Sequence, residues 1–107
     1  MCTNRPTVVV LCGSSKFKST IMGLMQRESL RGKIVLQHGF YHHVDLVPIT
    51  DMQKQMLDEM MLRKIEMADE VLIVNVNGYM GTSTKHALAH AQKLRKKITW
   101  HEEPNEG

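Results

Sequence analysis

Thr7-Val8-Val9-Val10-Leu11-Cys12-Gly13-Ser14-Ser15 is the stretch that decides the fold. Thr7 to Cys12 is an unbroken β-branched and apolar run, which reads as a strand buried on both faces, as in a parallel sheet. Gly13-Ser14-Ser15 breaks it. Phe17, Ile21, Leu24 and Met25 then follow at helical spacing, and Gly32 supplies a C-terminal stop.

The same alternation continues outward. Lys33 to Leu36 reads as a second short strand, and Gln37 to Ile49 as a long loop without period. Thr50-Asp51 caps a helix running to about Met67, with Leu57, Met61, Ile65 and Ala68 as its apolar stripe. Val71 to Val74 reads as a third buried strand, followed by a glycine-bearing loop, Asn75 to Gly81. Ser83-Thr84 opens a third helix with Ala87, Leu88, Ala91 and Leu94 facing inward, and Ile98 to Trp100 closes as a fourth strand. Strands alternating with helices predict an α/β domain: a three-layer arrangement of about four parallel strands with helices on both faces. Right-handed crossovers limit the topologies, and the expected strand order is 2-1-3-4. One domain spans residues 1–107, with its core in 7–100 and a mobile tail in 101–107.

Composition narrows the function classes. The chain of 107 residues is the size of a single domain. No window approaches the ~18 apolar residues of a transmembrane helix, and the first apolar run is too short for a signal peptide. A cytoplasmic protein is expected, with no membrane partner. Cys2, in a frayed terminus, and Cys12, at a strand end, form neither a disulfide framework nor a metal knuckle. The net charge is +3, but the one dense basic run, Lys93, Arg95, Lys96 and Lys97, reads as a helix end where cations favour the dipole. No nucleic-acid partner is expected.

Ligands of such sheets bind at the carboxyl ends of the strands, where the strand order reverses. Three loops are thereby selected. Gly13-Ser14-Ser15 offers backbone N–H groups and hydroxyls to an anion at a helix start, with Lys16 and Lys18 to add charge, although a Ser cap alone explains the pattern. Asn75-Val-Asn-Gly-Tyr-Met-Gly-Thr-Ser-Thr84 repeats the arrangement, with Tyr79 presenting an aromatic face and Ser83 as a cap. Two such starts side by side make a better anion site than either alone. In the loop between them, His38, Tyr41, His42 and His43 are expected to line the ligand. Gly13-Ser14-Ser15 is neither the dinucleotide fingerprint nor a P-loop, and no cofactor is expected. His86 and His90 share a helix face, but no Cys or carboxylate pattern accompanies them, and no metal is expected. Met52, Met56, Met60, Met61 and Met67 give the second helix more apolar positions than one stripe needs, which predicts burial of a second face in an even-numbered homo-oligomer.

Three segments together carry a resemblance. Val9-Val10-Leu11-Cys12-Gly13-Ser14-Ser15-Lys16-Phe17-Lys18 resembles the opening of the small nucleoside 2-deoxyribosyltransferase-like proteins of phage and actinobacteria, which are related to the SLOG nucleotide-binding superfamily. Leu62 to Val71 is similar to their second signature. Val74-Asn75 with Gly78-Tyr79-Met80-Gly81-Thr82-Ser83-Thr84 is similar to their third. The resemblance implies a Rossmann-like sheet, a nucleoside or nucleotide ligand and a homo-oligomer. The ligand-binding residues expected from motifs and resemblance are Gly13, Ser14, Ser15, Phe17, Lys18, Tyr41, His42, Asn75, Gly78, Tyr79, Gly81, Ser83 and Thr84.

In the related transferases and hydrolases, the resemblance implies, a glutamate attacks the anomeric carbon and displaces the base through a glycosyl-enzyme intermediate. It lies three residues after the Ser-Thr pair, and here that position is Ala87. A methyl group cannot attack. Met61 also departs from a histidine frequent in the family. Two functions follow. The favoured one is a non-catalytic nucleotide-binding protein that sequesters or senses a nucleotide-derived signal. The other is an active deoxyribosyltransferase or nucleoside monophosphate N-glycosidase using another carboxylate (Glu66, Asp69 or one from a neighbouring subunit), or a Glu→Ala variant of such an enzyme.

Overall fold

The computed structural model describes residues 5–103. The expectations for the frayed terminus at Cys2 and for the last residues of the tail, 104–107, fall outside them. Four parallel strands, β1 (Val8–Cys12), β2 (Ile34–Leu36), β3 (Glu70–Ile73) and β4 (Lys97–Trp100), form one sheet in the order β2-β1-β3-β4. Three helices connect them: α1 (Lys18–Leu30), α2 (Asp51–Met67) and α3 (Thr82–Lys93). The protein is an α/β, Rossmann-like three-layer domain.

Strand alternation divides the core in two. Val9, Leu11, Leu72 and Val74 face α1 with Ile21, Leu24 and Tyr41. Val8, Val10, Cys12, Val71 and Ile73 face the other way, onto Ile65, Ala68, Ala87 and Ala91 of the α2–α3 layer. The strands are thus covered on both sides, which is why they read as continuous apolar runs rather than as alternation. Ile21 and Ile65 are fully buried, and each contributes about 2 kcal/mol by leaving water.

Local signals set the helix ends. Thr50 and Gln53 form a reciprocal capping box at the start of α2. At the end of α1, Gly32 takes φ 82°, while its N–H bonds Ser29 O and the Lys33 N–H bonds Glu28 O. This is a Schellman stop that a side chain at Gly32 would strain.

Four expectations need correction. A short 3₁₀ turn, Ser15–Phe17, precedes α1. Gly81, not Ser83, is the N-cap of α3, and Thr82 is its first residue. Leu94 is exposed, because it stands at the C-cap where the chain turns through Arg95 at φ 58°. The start of the tail is anchored: the His101 N–H bonds Ile73 O, and Glu102 is held by both polar atoms of the buried Asn75 amide. The basic run Lys93–Lys97 straddles the end of α3 and the start of β4, with the Lys96 ammonium donating to the Glu66 and Ala68 carbonyls. No helix among the described residues is long and apolar enough to cross a membrane.

Candidate functional site

β1 lies between β2 and β3, so the order reverses beside it. From the carboxyl end of β1 the chain leaves for α1 on one face, and from β3 for α3 on the other. A crevice opens between the two loops. It holds a cavity of about 340 Å³, at the small end of small-molecule sites.

Both hydroxyl-bearing loops reach it. Gly13, Ser14 and Ser15 form one wall, and Gly81, Thr82, Ser83 and Thr84 with Tyr79 form another. Gly13 is required by close approach: a Cβ there would lie 2.8 Å from Val74 Cβ and 3.1 Å from Val74 O. Ser14 caps the 3₁₀ turn through the Lys16 N–H. The Lys16 ammonium rests 3.7 Å from the centroid of Tyr79, a cation–π contact that holds the ring beside the loop. Cys12 lies at the floor near Met61. Burial pushes its thiol up to about 12 against the pull of Lys64, so it is an inert wall group rather than a nucleophile.

The loop after β2 supplies the third wall through His38, Phe40, His42 and His43. His38 Nε2 donates to the Gly13 carbonyl at 2.6 Å, tying the two loops together. Burial pushes His38 down; the bond to Gly13 opposes this, and the charges of Lys64 and Lys54 add to it. His42 is pushed down by burial and then by His43 and Lys54. Ser15 Oγ hydrogen-bonds His43 Nδ1.

The fourth wall is a face of α2: Lys54 and Asp58, which the motifs did not indicate, with Met61 and Lys64. Their spacing of three to four residues puts them on one helical stripe beside Leu57, which is the signal that could have found them. Lys54 Nζ bonds both oxygens of Asp58 and the Ser83 hydroxyl, at 2.7 to 2.8 Å. Lys64 Nζ donates to the Gln37 carbonyl at 2.6 Å. Among the described residues it has no carboxylate partner, and burial lowers its pKa. An anion in the cavity would relieve that cost.

No protein-family model and no curated protein sequence matches the chain.

Several expected ligand residues stand elsewhere, each with a structural duty. Phe17 packs edge-on against Tyr79 from the α1 side of the sheet. Lys18 pairs with Asp45 at 3.0 Å, which spends its charge. Tyr41 is buried, its hydroxyl bonded to Gln37 and its ring edge-on to His38. Asn75 anchors Glu102. Gly78, at φ 79°, turns the chain after Asn77 at φ 54°. His86 is exposed and His90 bonds Glu66 at 3.0 Å.

The carboxylates weighed as replacement nucleophiles lie outside the cavity. Glu66 is occupied by Arg63 and His90. Asp69, at the amino end of β3, binds Arg5 and the Val8 N–H. Asp58 is the carboxylate that lines the cavity among the described residues, and Lys54 holds it in an ion pair. Ala87 is nearly fully buried and lines the cavity wall one turn into α3.

Proposed function

We propose that this cavity binds a nucleoside or nucleotide without cleaving it, so that the protein sequesters or senses such a molecule. The observation that carries this reading is the meeting of two glycine–hydroxyl loops and the Lys64 ammonium, which has no carboxylate partner among the described residues, around one crevice whose wall has a methyl group at Ala87. Hydroxyls and backbone N–H groups at a helix start suit a phosphate or ribose, and Tyr79 suits a base. Among the described residues the wall offers no free carboxylate to attack a sugar, since Asp58 is paired with Lys54. The resemblance of the three sequence signatures to the deoxyribosyltransferase-like proteins supports the ligand class.

Asp58 favours a second reading, an N-glycosidase, because a ligand that drew Lys54 away would free its carboxylate. The two readings separate in one assay. Deoxynucleosides and their monophosphates are incubated for long periods with the protein, and free bases are resolved by chromatography. No release is expected from the chain as it stands, and slow release from Ala87→Glu, which returns a carboxylate to the wall. Turnover by the unaltered chain that disappears in Asp58→Asn contradicts the binding-only reading.

The even-numbered homo-oligomer belongs to the same proposal. Met61 packs on the core, while Met52, Met56, Met60 and Met67 are 80%, 54%, 45% and 69% exposed. A helix face of that character gains by pairing with its own copy. Light scattering is expected to give an even multiple of 12.3 kDa; a monomer at high concentration contradicts it.

A further inference from the structure

The two lysines of the cavity are not equivalent, and their difference orients a ligand. Lys64 donates to a backbone carbonyl, Gln37 O, and has no carboxylate partner among the described residues. Lys54 is spent. Its ammonium bonds both oxygens of Asp58, at 2.7 and 2.8 Å, and the Ser83 hydroxyl at 2.8 Å. A phosphate dianion gains beside Lys64 and is repelled beside Asp58. The phosphate end therefore lies toward Lys64 and the Gly13–Ser15 loop, and the Asp58 end is left for a neutral polar group.

That end suits hydroxyls. An ionised carboxylate accepts at about four lone-pair sites. Lys54 takes one on each Asp58 oxygen, which leaves one on each. Two O–H donors on neighbouring ring carbons match that pair. Ser83 accepts from Lys54, so its own O–H remains to donate. Thr84 follows it, 4% exposed and lining the cavity. Its hydroxyl makes no hydrogen bond among the described residues. No fully enclosed side-chain oxygen among those residues lacks a partner, so this hydroxyl meets open space, and the cavity is the space that Thr84 borders.

We propose that Asp58, held by Lys54 and flanked by Ser83 and Thr84, forms a sugar subsite for a vicinal diol, so that the cavity selects ribose over 2-deoxyribose ligands. This deepens the nucleotide reading and rests on it for the phosphate and the base. Asp58 and Lys64 are six residues apart on α2, about 9 Å along the axis. Helical side chains lean toward the N-terminus, which carries the Lys64 ammonium toward Asp58. One pentose phosphate bridges what is left. The selection runs against the 2-deoxy sugars to which the family resemblance points. Its cause is a carboxylate that lies outside all three of the resembling segments.

Calorimetry compares adenosine 5′-monophosphate with its 2′-deoxy and 3′-deoxy forms, each of which lacks one hydroxyl. The parent is expected to bind about tenfold tighter than either. That is the low end for a bond to a charged acceptor, since the Asp58 side chain is 46% exposed. The same exposure lets Asp58→Asn fold. Its amide cannot accept from both hydroxyls, so the preference should vanish whatever the overall affinity. Glu59→Gln, at the next residue and paired with Arg63, should keep it. Equal affinity for the three nucleotides overturns the inference. So does a preference that persists in Asp58→Asn, or one that concerns a single hydroxyl. Ribose 5-phosphate and 2-deoxyribose 5-phosphate in the same cells separate the two claims. If the nucleotides bind equally, the diol subsite falls and the nucleotide reading stands. If no nucleotide binds but ribose 5-phosphate is preferred to its deoxy form, the subsite stands and the nucleotide reading falls. If nothing binds in the millimolar range, both fall.

Discussion

Gly13→Ala is expected to abolish ligand binding and to lower stability by about 2 kcal/mol. The added methyl would lie 2.8 Å from Val74 Cβ and 3.1 Å from the Val74 carbonyl. Neither neighbour is the free end of a flexible side chain. The Val74 N–H bonds the Cys12 carbonyl at 2.8 Å, so relief requires the ends of β1 and β3 to part. That movement carries the Gly13 carbonyl away from His38 and separates the loops that form the cavity. Urea denaturation measures the loss of stability and calorimetry the loss of binding. Unchanged stability together with unchanged affinity contradicts the close approach on which the crevice is built.

The second large effect lies at the opposite end of the molecule. Glu28 is 3% exposed near the end of α1 and accepts from Arg27, Arg31 and Lys33 at 2.9 to 3.0 Å. Lys33 passes the network on to Glu70 at 2.9 Å, so α1 and the starts of β2 and β3 are joined. Burial raises the carboxyl's pKa, but the bonds and charges of Lys33 and Arg27 outweigh it and hold Glu28 below its ordinary value. A lowered folded-state pKa contributes stability above the unfolded value, about 4.3 for glutamate, and loses it as pH falls through the folded value. Glu28→Gln should therefore cost about 2 kcal/mol near neutrality. That is less than a fully buried pair would lose, since the cations left behind are partly solvated. The difference between the two proteins should shrink between neutral pH and a pH below glutamate's ordinary value, as the native carboxyl is protonated. A constant difference in urea denaturation at both pH values would show that the carboxylate charge is not what the network uses.

Much of the fold was legible because its signals are local. Val8 to Cys12 and Val71 to Val74 are β-branched runs that only a doubly covered strand accommodates, and Thr50 with Gln53, or Gly32 after α1, fix helix ends within a few residues. The site was legible where glycine and hydroxyl clusters follow a strand: Gly13-Ser14-Ser15 and Gly81 to Thr84 do line one cavity. What stayed hidden depends on distant packing. Lys54 and Lys64 look like solvated helix residues until α3 brings the Ser83 hydroxyl to Lys54 and the loop 37–49, which has no period of its own, brings the Gln37 carbonyl to Lys64. Tyr41 and Asn75 carry polar groups in the right loops, yet the core takes both. Their hydroxyl and amide are satisfied by Gln37, four residues back in a loop without period, and by Glu102, 27 residues on. Leu94 fits the inward stripe of α3, but the helix ends one residue before it.

Two-dimensional ¹H–¹⁵N NMR titration with deoxyadenosine monophosphate tests the central claim most directly, since it reports both binding and place. Saturable shifts are predicted for the backbone amides of Gly13 to Ser15 and of Gly81 to Thr84, the two segments that meet at the cavity, with the amino-end residues Arg31 to Ile34 unmoved. No shifts in the millimolar range, or saturable shifts confined to residues away from those two segments, would contradict it.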